Sequence, residues 1–219
     1  MVAGAHLRFC MPVAVLILGF QPAPARADMI DMTGVEPQHI CADCHGLDGA
    51  GNRIKFPRLA GQNPKYLAKQ LRDFQLGHRK NDGGQMQQTA TEAEEKDIPK
   101  IVEWFSGQEA PWPAPTMEGE FDLARAEKLV TVGAGGVRAC TSCHSASAPY
   151  LADQPVEAPR LAGQYDYYIA KQLRDFRDGR RGNDPDGMMS AIARRLTDAD
   201  IASLAVFLSQ NPALHEVKP

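Results

Sequence analysis

Spare cysteine is what this chain most plainly lacks. Five occur in 219 residues. Cys10 lies in the N-terminal 27 residues and the other four form two tight pairs, so none is left for the disulfide framework that staples many small exported domains. Long apolar runs are missing too. The best, over 12–20, falls short of the ~18 consecutive apolar residues that span a bilayer, and Pro12 breaks its extension, which argues against a membrane anchor. No stretch alternates apolar with polar residues over a strand length, so no sheet is expected. Charge of one sign is scarce as well: 24 basic and 27 acidic residues give net −3, which speaks against nucleic acid as a partner.

What is present begins with a leader. Arg8 precedes the apolar run, and Ala25-Arg26-Ala27 supplies an A-x-A cleavage site, so 1–27 reads as a secretory signal cleaved after Ala27, with Cys10 discarded. Loss of Arg8 and Arg26 takes the net charge from −3 to −5.

The remaining cysteines stand in Cys41-Ala42-Asp43-Cys44-His45 and Cys140-Thr141-Ser142-Cys143-His144. This is C-x-x-C-H twice, the spacing at which two thiols join the vinyl groups of haem while the adjacent imidazole binds its iron. A zinc site built from both pairs would join ligands about 100 residues apart and leave both histidines unexplained. Neither pair has the surroundings of a thioredoxin-like motif. Two covalently attached haem c groups are therefore expected.

The chain also repeats around the motifs. Residues 57–76 match 159–178 at 14 of 20 positions, including Pro57-Arg58-Leu59-Ala60-Gly61-Gln62 against Pro159-Arg160-Leu161-Ala162-Gly163-Gln164. The offset grows from 99 at Cys41/Cys140 to 103 at Asp97/Asp200, so the second copy carries a few extra residues, chiefly after His144. Such a duplication predicts two similar domains. They are read as 28–105 and 119–219, joined by a proline-rich linker over 106–118.

Haem iron needs a sixth ligand, and the repeat points to it. Met86 lies 11 residues before Asp97, and Met189 lies 11 before Asp200. Met188 is the neighbouring rival, and a core role is the bland alternative for all three. Against that role, Met86 sits in a polar segment, 81–88, with no other apolar residue, which reads as a loop. His39, His78 and His215 do not recur in the other half, so His/Met ligation is favoured over bis-His.

Between the ligands the pattern is helical. Asn63-Pro64 followed by Leu67, Leu71, Phe74 and Gly77 carries a cap, an apolar face and a stop. Tyr168, Leu173 and Phe176 mark the same helix in the second half. Further helices are expected at Ile98 to Phe105 and Ile201 to Leu208. A helix over 121–132 leads into the second motif, whereas Pro37 interrupts the short lead-in to the first. Both domains should be all-α.

On both C-x-x-C-H motifs, both P-x-L-x-G segments, the Tyr-x-x-Lys-Gln-Leu helix and both methionines, the mature chain resembles the dihaem cytochrome c4 family, two class I cytochrome c domains in tandem, each wrapping one haem. The resemblance implies His45/Met86 and His144/Met189 as axial pairs. It also implies that the Pro57 and Pro159 carbonyls accept the Nδ1 proton of the proximal histidines. It further implies electron transfer in the periplasm, typically towards a terminal oxidase, from a donor such as a quinol-oxidising complex or a dehydrogenase. Two other functions stay open. The chain could be the electron-accepting cytochrome subunit of a larger dehydrogenase, as in flavocytochrome c, or a dihaem enzyme with an open iron position. Peripheral association with a membrane is left open. The 28–118 portion holds 10 basic and 14 acidic residues against 12 and 13 in 119–219. Arg174, Arg177, Arg180 and Arg181 form a cluster that either steers an acidic partner or is a solvated helix face.

Overall fold

The computed structural model describes residues 1, 34–52, 55–144 and 158–211. The leader with its cleavage site, the insertion after His144 and the tail carrying His215 lie outside them. Among the described residues, no helix is long and apolar enough to cross a membrane.

The first half is built from α1 (Pro37–His45), α2 (Pro64–Gln75), α3 (Gln85–Ala90) and α4 (Ile98–Ser106). The second half is built from α5 (Leu123–Thr131), α6 (Thr141–His144), α7 (Asp166–Arg177), α8 (Met188–Ala193) and α9 (Asp198–Gln210). Helices dominate, and the described sheet is one antiparallel ladder of β1 (Gly133–Ala134) and β2 (Val137–Arg138). This turn escaped the sequence reading because two-residue strands leave no alternation to detect.

Local chemistry explains where the helices start. Asn63 accepts a hydrogen bond from the Lys65 amide, Pro64 takes the first turn of α2, and Gly77 stops the chain at φ +69°. On α9, Thr197 and Asp200 form a reciprocal capping box. Pro37 starts α1 rather than interrupting a lead-in, since a first-turn residue needs no N–H partner. The first C-x-x-C-H motif is thus carried within α1. The polar segment around Met86 is likewise helical. Asp82 accepts hydrogen bonds from the Gly84 and Met86 amides, and Gly84 turns into α3 at φ +88°.

Each half has its own core. In the first, Cys41, Leu71, Phe74, Ile98, Ile101 and Phe105 cluster, with Met86 packed against them. In the second, Leu129, Val130, Ile169, Ile201, Leu204 and Leu208 do so. Paired glutamines join the halves. Gln62 Nε2 donates to the Arg160 carbonyl at 3.0 Å and its Oε1 accepts from the Arg160 amide at 2.7 Å. Gln164 does the same with Arg58, both bonds at 2.9 Å. The segment over 110–117 is tied to both halves. Arg58 donates to the Ala110 and Pro111 carbonyls, Gln210 donates to Pro113, and Asp166 accepts from the Thr116 and Met117 amides.

Candidate functional site

One cavity of about 940 Å³ runs through both halves and brings together most of the residues singled out above. Cys41, Cys44, His45, Pro57 and Met86 line it from the first half, and Cys140, Cys143, His144, Pro159, Met188 and Met189 from the second. His39 and His78 do not line it; both are exposed, and His78 faces Asp73 at 3.8 Å.

The histidines are held alike. His45 Nδ1 lies 2.9 Å from the Pro57 carbonyl, and His144 Nδ1 lies 2.8 Å from the Pro159 carbonyl. A carbonyl can only accept, so the proton sits on Nδ1 and the Nε2 lone pair stays available for a metal. Burial lowers the pKa of both imidazoles and the carbonyl bond partly opposes it, which favours the neutral, ligating form. His45 is only 5 % exposed, and the Phe56 ring meets it edge-on at 5.9 Å.

None of the four motif cysteines is in a disulfide. Burial pushes the Cys41 and Cys140 thiols up to about 11, so neither is a reactive thiolate of the kind redox-active cysteines require. Met86 lies in the first turn of α3, Met188 and Met189 in the first turn of α8, and all three line the cavity. The walls between are apolar, including Leu71, Phe74, Val102 and Phe105 in one half and Ile169, Leu173, Phe176 and Leu204 in the other. A thiol pair, an oriented imidazole, a thioether and apolar walls are the donor set that covalently bound haem takes. The residues fit the group.

The arginine cluster of the second half is not a free cationic patch. Arg177 pairs with Asp178 and Asp198, and Arg180 with Asp175 and Asp178. Arg174 faces Asp198 at 3.8 Å, while Arg181 is buried between the halves. Sequence reasoning missed that Arg79 and Asn81 recur as Arg181 and Asn183. The signal was the repeated Arg-x-Asn-Asp, which lies just beyond the compared window.

Two c-type haem-binding units in one chain define the class. Residues 38–109 and 132–212 each match the cytochrome c family model. Cytochrome c4 of Azotobacter vinelandii is 36% identical over 181 residues, covering 77% of this chain and 83% of that protein. The thiosulfate dehydrogenase electron acceptor of Thiomonas intermedia is 33% identical over 215 residues, covering 94% and 92%. The crystal structure of reduced cytochrome c4 from Pseudomonas stutzeri superposes with TM-score 0.64 at 34% identity, covering 79% of this chain and 95% of that one. The chain belongs to the cytochrome c family, in its dihaem cytochrome c4 branch, and carries two covalently attached haem c groups that serve electron transfer.

Proposed function

We propose that the protein is an exported, periplasmic electron carrier without a substrate site of its own, in which His45/Met86 and His144/Met189 are the axial pairs. The haem-binding domains are 28–105 and 119–219, joined by 106–118, and the signal is removed after Ala27. The observation that carries the reading is the repeated arrangement: in each half a carbonyl-oriented imidazole and a thioether line the same apolar cavity.

Bound haem supplies one-electron exchange between iron(III) and iron(II), at a potential that methionine ligation raises. The chain does the rest. Cys41, Cys44, Cys140 and Cys143 tether covalently. The Pro57 and Pro159 carbonyls fix the tautomer and orientation of the imidazoles. Apolar walls keep water from the ligands, and a position filled by sulfur leaves no place for a small reactant.

The donor and acceptor follow from chemistry and from relatives. Electrons pass towards a terminal oxidase, as the family resemblance implies. A second reading, acceptance of electrons from a dehydrogenase, is favoured by the relative named as a thiosulfate dehydrogenase electron acceptor, which aligns over 94% of this chain. The test is the absorption spectrum of the purified protein. Two haems per chain, a near-infrared methionine-to-iron band and no rapid binding of carbon monoxide are expected. Rapid carbon monoxide binding at either iron overturns the carrier reading. Copurification from the native periplasm then separates an oxidase from a dehydrogenase partner.

A further inference from the structure

Positive charge that nothing in the carrier reading uses gathers at one mouth of the haem-binding cavity. Arg138 on β2 and Arg195, just beyond α8, both line the cavity and are both exposed, so they stand where it opens to solvent. Arg195 reaches over the turn between β1 and β2, since a Cβ on Gly136 would meet its guanidinium. Arg194 beside it is exposed too. Among the described residues, arginine ion pairs belong to Arg72, Arg125, Arg174, Arg177 and Arg180, and neither Arg194 nor Arg195 takes part in one. Their field is left for whatever approaches. The turn that they flank is nearly bare of side chains. Gly133, Gly135 and Gly136 have positive φ, +87°, +59° and +76°, and the last two are exposed. Val132, just before the turn, is 73 % exposed. A glycine turn with an apolar shoulder lets another chain come close.

The first half differs at each of these places. His39 stands where the second half has Arg138, and Thr91 and Glu92 stand where it has Arg194 and Arg195. All three are exposed. Pro37 of α1 takes the position of Gly136, so a helix begins where the second half makes its turn. At matching sites behind the two methionine-bearing helices the charge is therefore reversed, Glu92 against Arg195. Lys55, exposed and lining the first half's part of the cavity, follows its motif instead of preceding it.

Building on the carrier reading, we infer that the glycine turn with Arg138, Arg194 and Arg195 is the docking surface for an acidic redox protein, which exchanges electrons with the haem of the second half. A partner with carboxylates around its own redox centre is drawn to the arginines, and the bare turn lets it settle against the cavity mouth. Each productive encounter moves one electron, oxidising the donor metal by one and reducing the acceptor metal by one, and no bond forms or breaks. Glu92 disfavours the same partner at the first half, so its traffic is confined to one end of the chain.

The probe is plastocyanin, an acidic copper protein, and the reductant is the full-length haem-loaded protein. Iron(II) passes one electron to copper(II), giving iron(III) and copper(I). Stopped-flow rates are expected to fall steeply as salt rises. Arg138→Gln and Arg195→Gln should each slow the reaction several-fold at low salt, and together by on the order of tenfold. Lys128→Gln, an equal charge change at an exposed position of α5, should leave it unchanged. Arg195→Lys restores the charge and is expected to restore the rate, which a merely structural role for Arg195 would not do. With both proteins reduced no electron moves, and NMR titration should then shift the amide signals of 132–138 and 194–195. A rate indifferent to salt and to both arginines overturns the inference, as do amide shifts confined to the first half. A larger loss in Lys55→Gln than in Arg195→Gln places the docking surface on the first half and overturns it too. Binding to vesicles of anionic phospholipid that is lost in Arg195→Gln assigns the arginines to a membrane surface instead. Rapid carbon monoxide binding by the unaltered protein defeats the carrier reading separately, whereas closed irons with indifferent rates defeat this inference alone.

Discussion

The two halves hold their motif histidines in the same way and differ in what covers the last helix behind them. In the second half α5 packs along α9, with Ala126, Leu129 and Val130 almost wholly buried. Ser203 on the covered face is buried, and its hydroxyl accepts from the Asp122 amide. In the first half no described helix precedes α1. At the position matching Ser203, α4 carries Lys100, exposed and paired with Glu36, and Trp104 is 37 % exposed with its Nε1 donating to the Leu47 carbonyl. The matching face of α4 is tied to other parts of the first half, through Lys100 to Glu36 and through Trp104 to Leu47. The residues that line the haem cavity recur in the same order with insertions between them, whereas the outer layer is free to diverge as long as each apolar face finds a partner.

The sharpest way to break the likeness of the two sites is to remove one thioether at a time. Met86→Ala and Met189→Ala are each expected to abolish about half of the methionine-to-iron band, open one iron per chain to carbon monoxide and lower that iron's potential. The other half should keep its spectrum. If Met189→Ala leaves the band whole while Met188→Ala halves it, the assignment within α8 moves by one residue.

The difference in cover makes a stability prediction with opposite outcomes in the two halves. Leu129 is 1 % exposed against α9, and Leu129→Ala should cost about 2–5 kcal/mol through lost burial and the cavity left behind. Lys100→Ala, on the corresponding face of α4, should stay within about 0.5 kcal/mol. Denaturant melts of the haem-loaded variants decide it, and equal losses would mean that the first half has a cover of its own.

Gln108 and Trp112 set apart a pair of matched glycines. Gly61 and Gly163 both have positive φ, +66° and +73°. A Cβ on Gly163 would lie 2.7 Å from the Trp112 ring, whereas one on Gly61 meets only the Gln108 carbonyl at 3.7 Å. Gly61→Ala should cost about 1 kcal/mol of left-handed strain, and Gly163→Ala about 1–3 kcal/mol more for displacing the indole. Thermal unfolding of the two variants checks the order, and Gly163→Ala together with Trp112→Ala should recover most of the gap.

Much of this was legible in the sequence because haem attachment is local and repeated. Two pentapeptides, a duplicated segment and two methionines at one fixed distance from an aspartate name the cavity lining without reference to the fold, and α2 announces itself through Asn63, Pro64 and Gly77. The misses have physical reasons. Pro37 was read as a breaker because position within a helix, not proline itself, decides whether a missing N–H matters. The segment around Met86 looked like a loop because its helix is six residues long and held by Asp82, a cap that apolar periodicity does not reveal. The surface role considered for Arg181 failed because burial between two halves is a long-range fact, for which a basic residue carries no local mark.

The finest contrast is electrostatic. Asp200 is buried at the start of α9 and pairs with Arg125 of α5. The Arg125 bond, opposed by burial and helped by Thr197, lowers its carboxyl from the ordinary 3.8 to about 2. A carboxyl whose folded pKa is depressed stabilises the fold fully above its unfolded pKa, and that contribution fades as pH falls towards the folded value. Arg125→Gln should therefore lower the unfolding temperature of the second half at neutral pH, and the gap to the unaltered protein should close between about pH 4 and pH 2. The first-half pair, Glu36 with Lys100, is exposed on both sides, and Lys100→Gln should leave unfolding almost unchanged over the same range. Thermal melts of both variants across that window make the comparison. A gap for Arg125→Gln that persists undiminished at pH 2 would show that Arg125 holds α5 on α9 by packing its stem rather than by its charge.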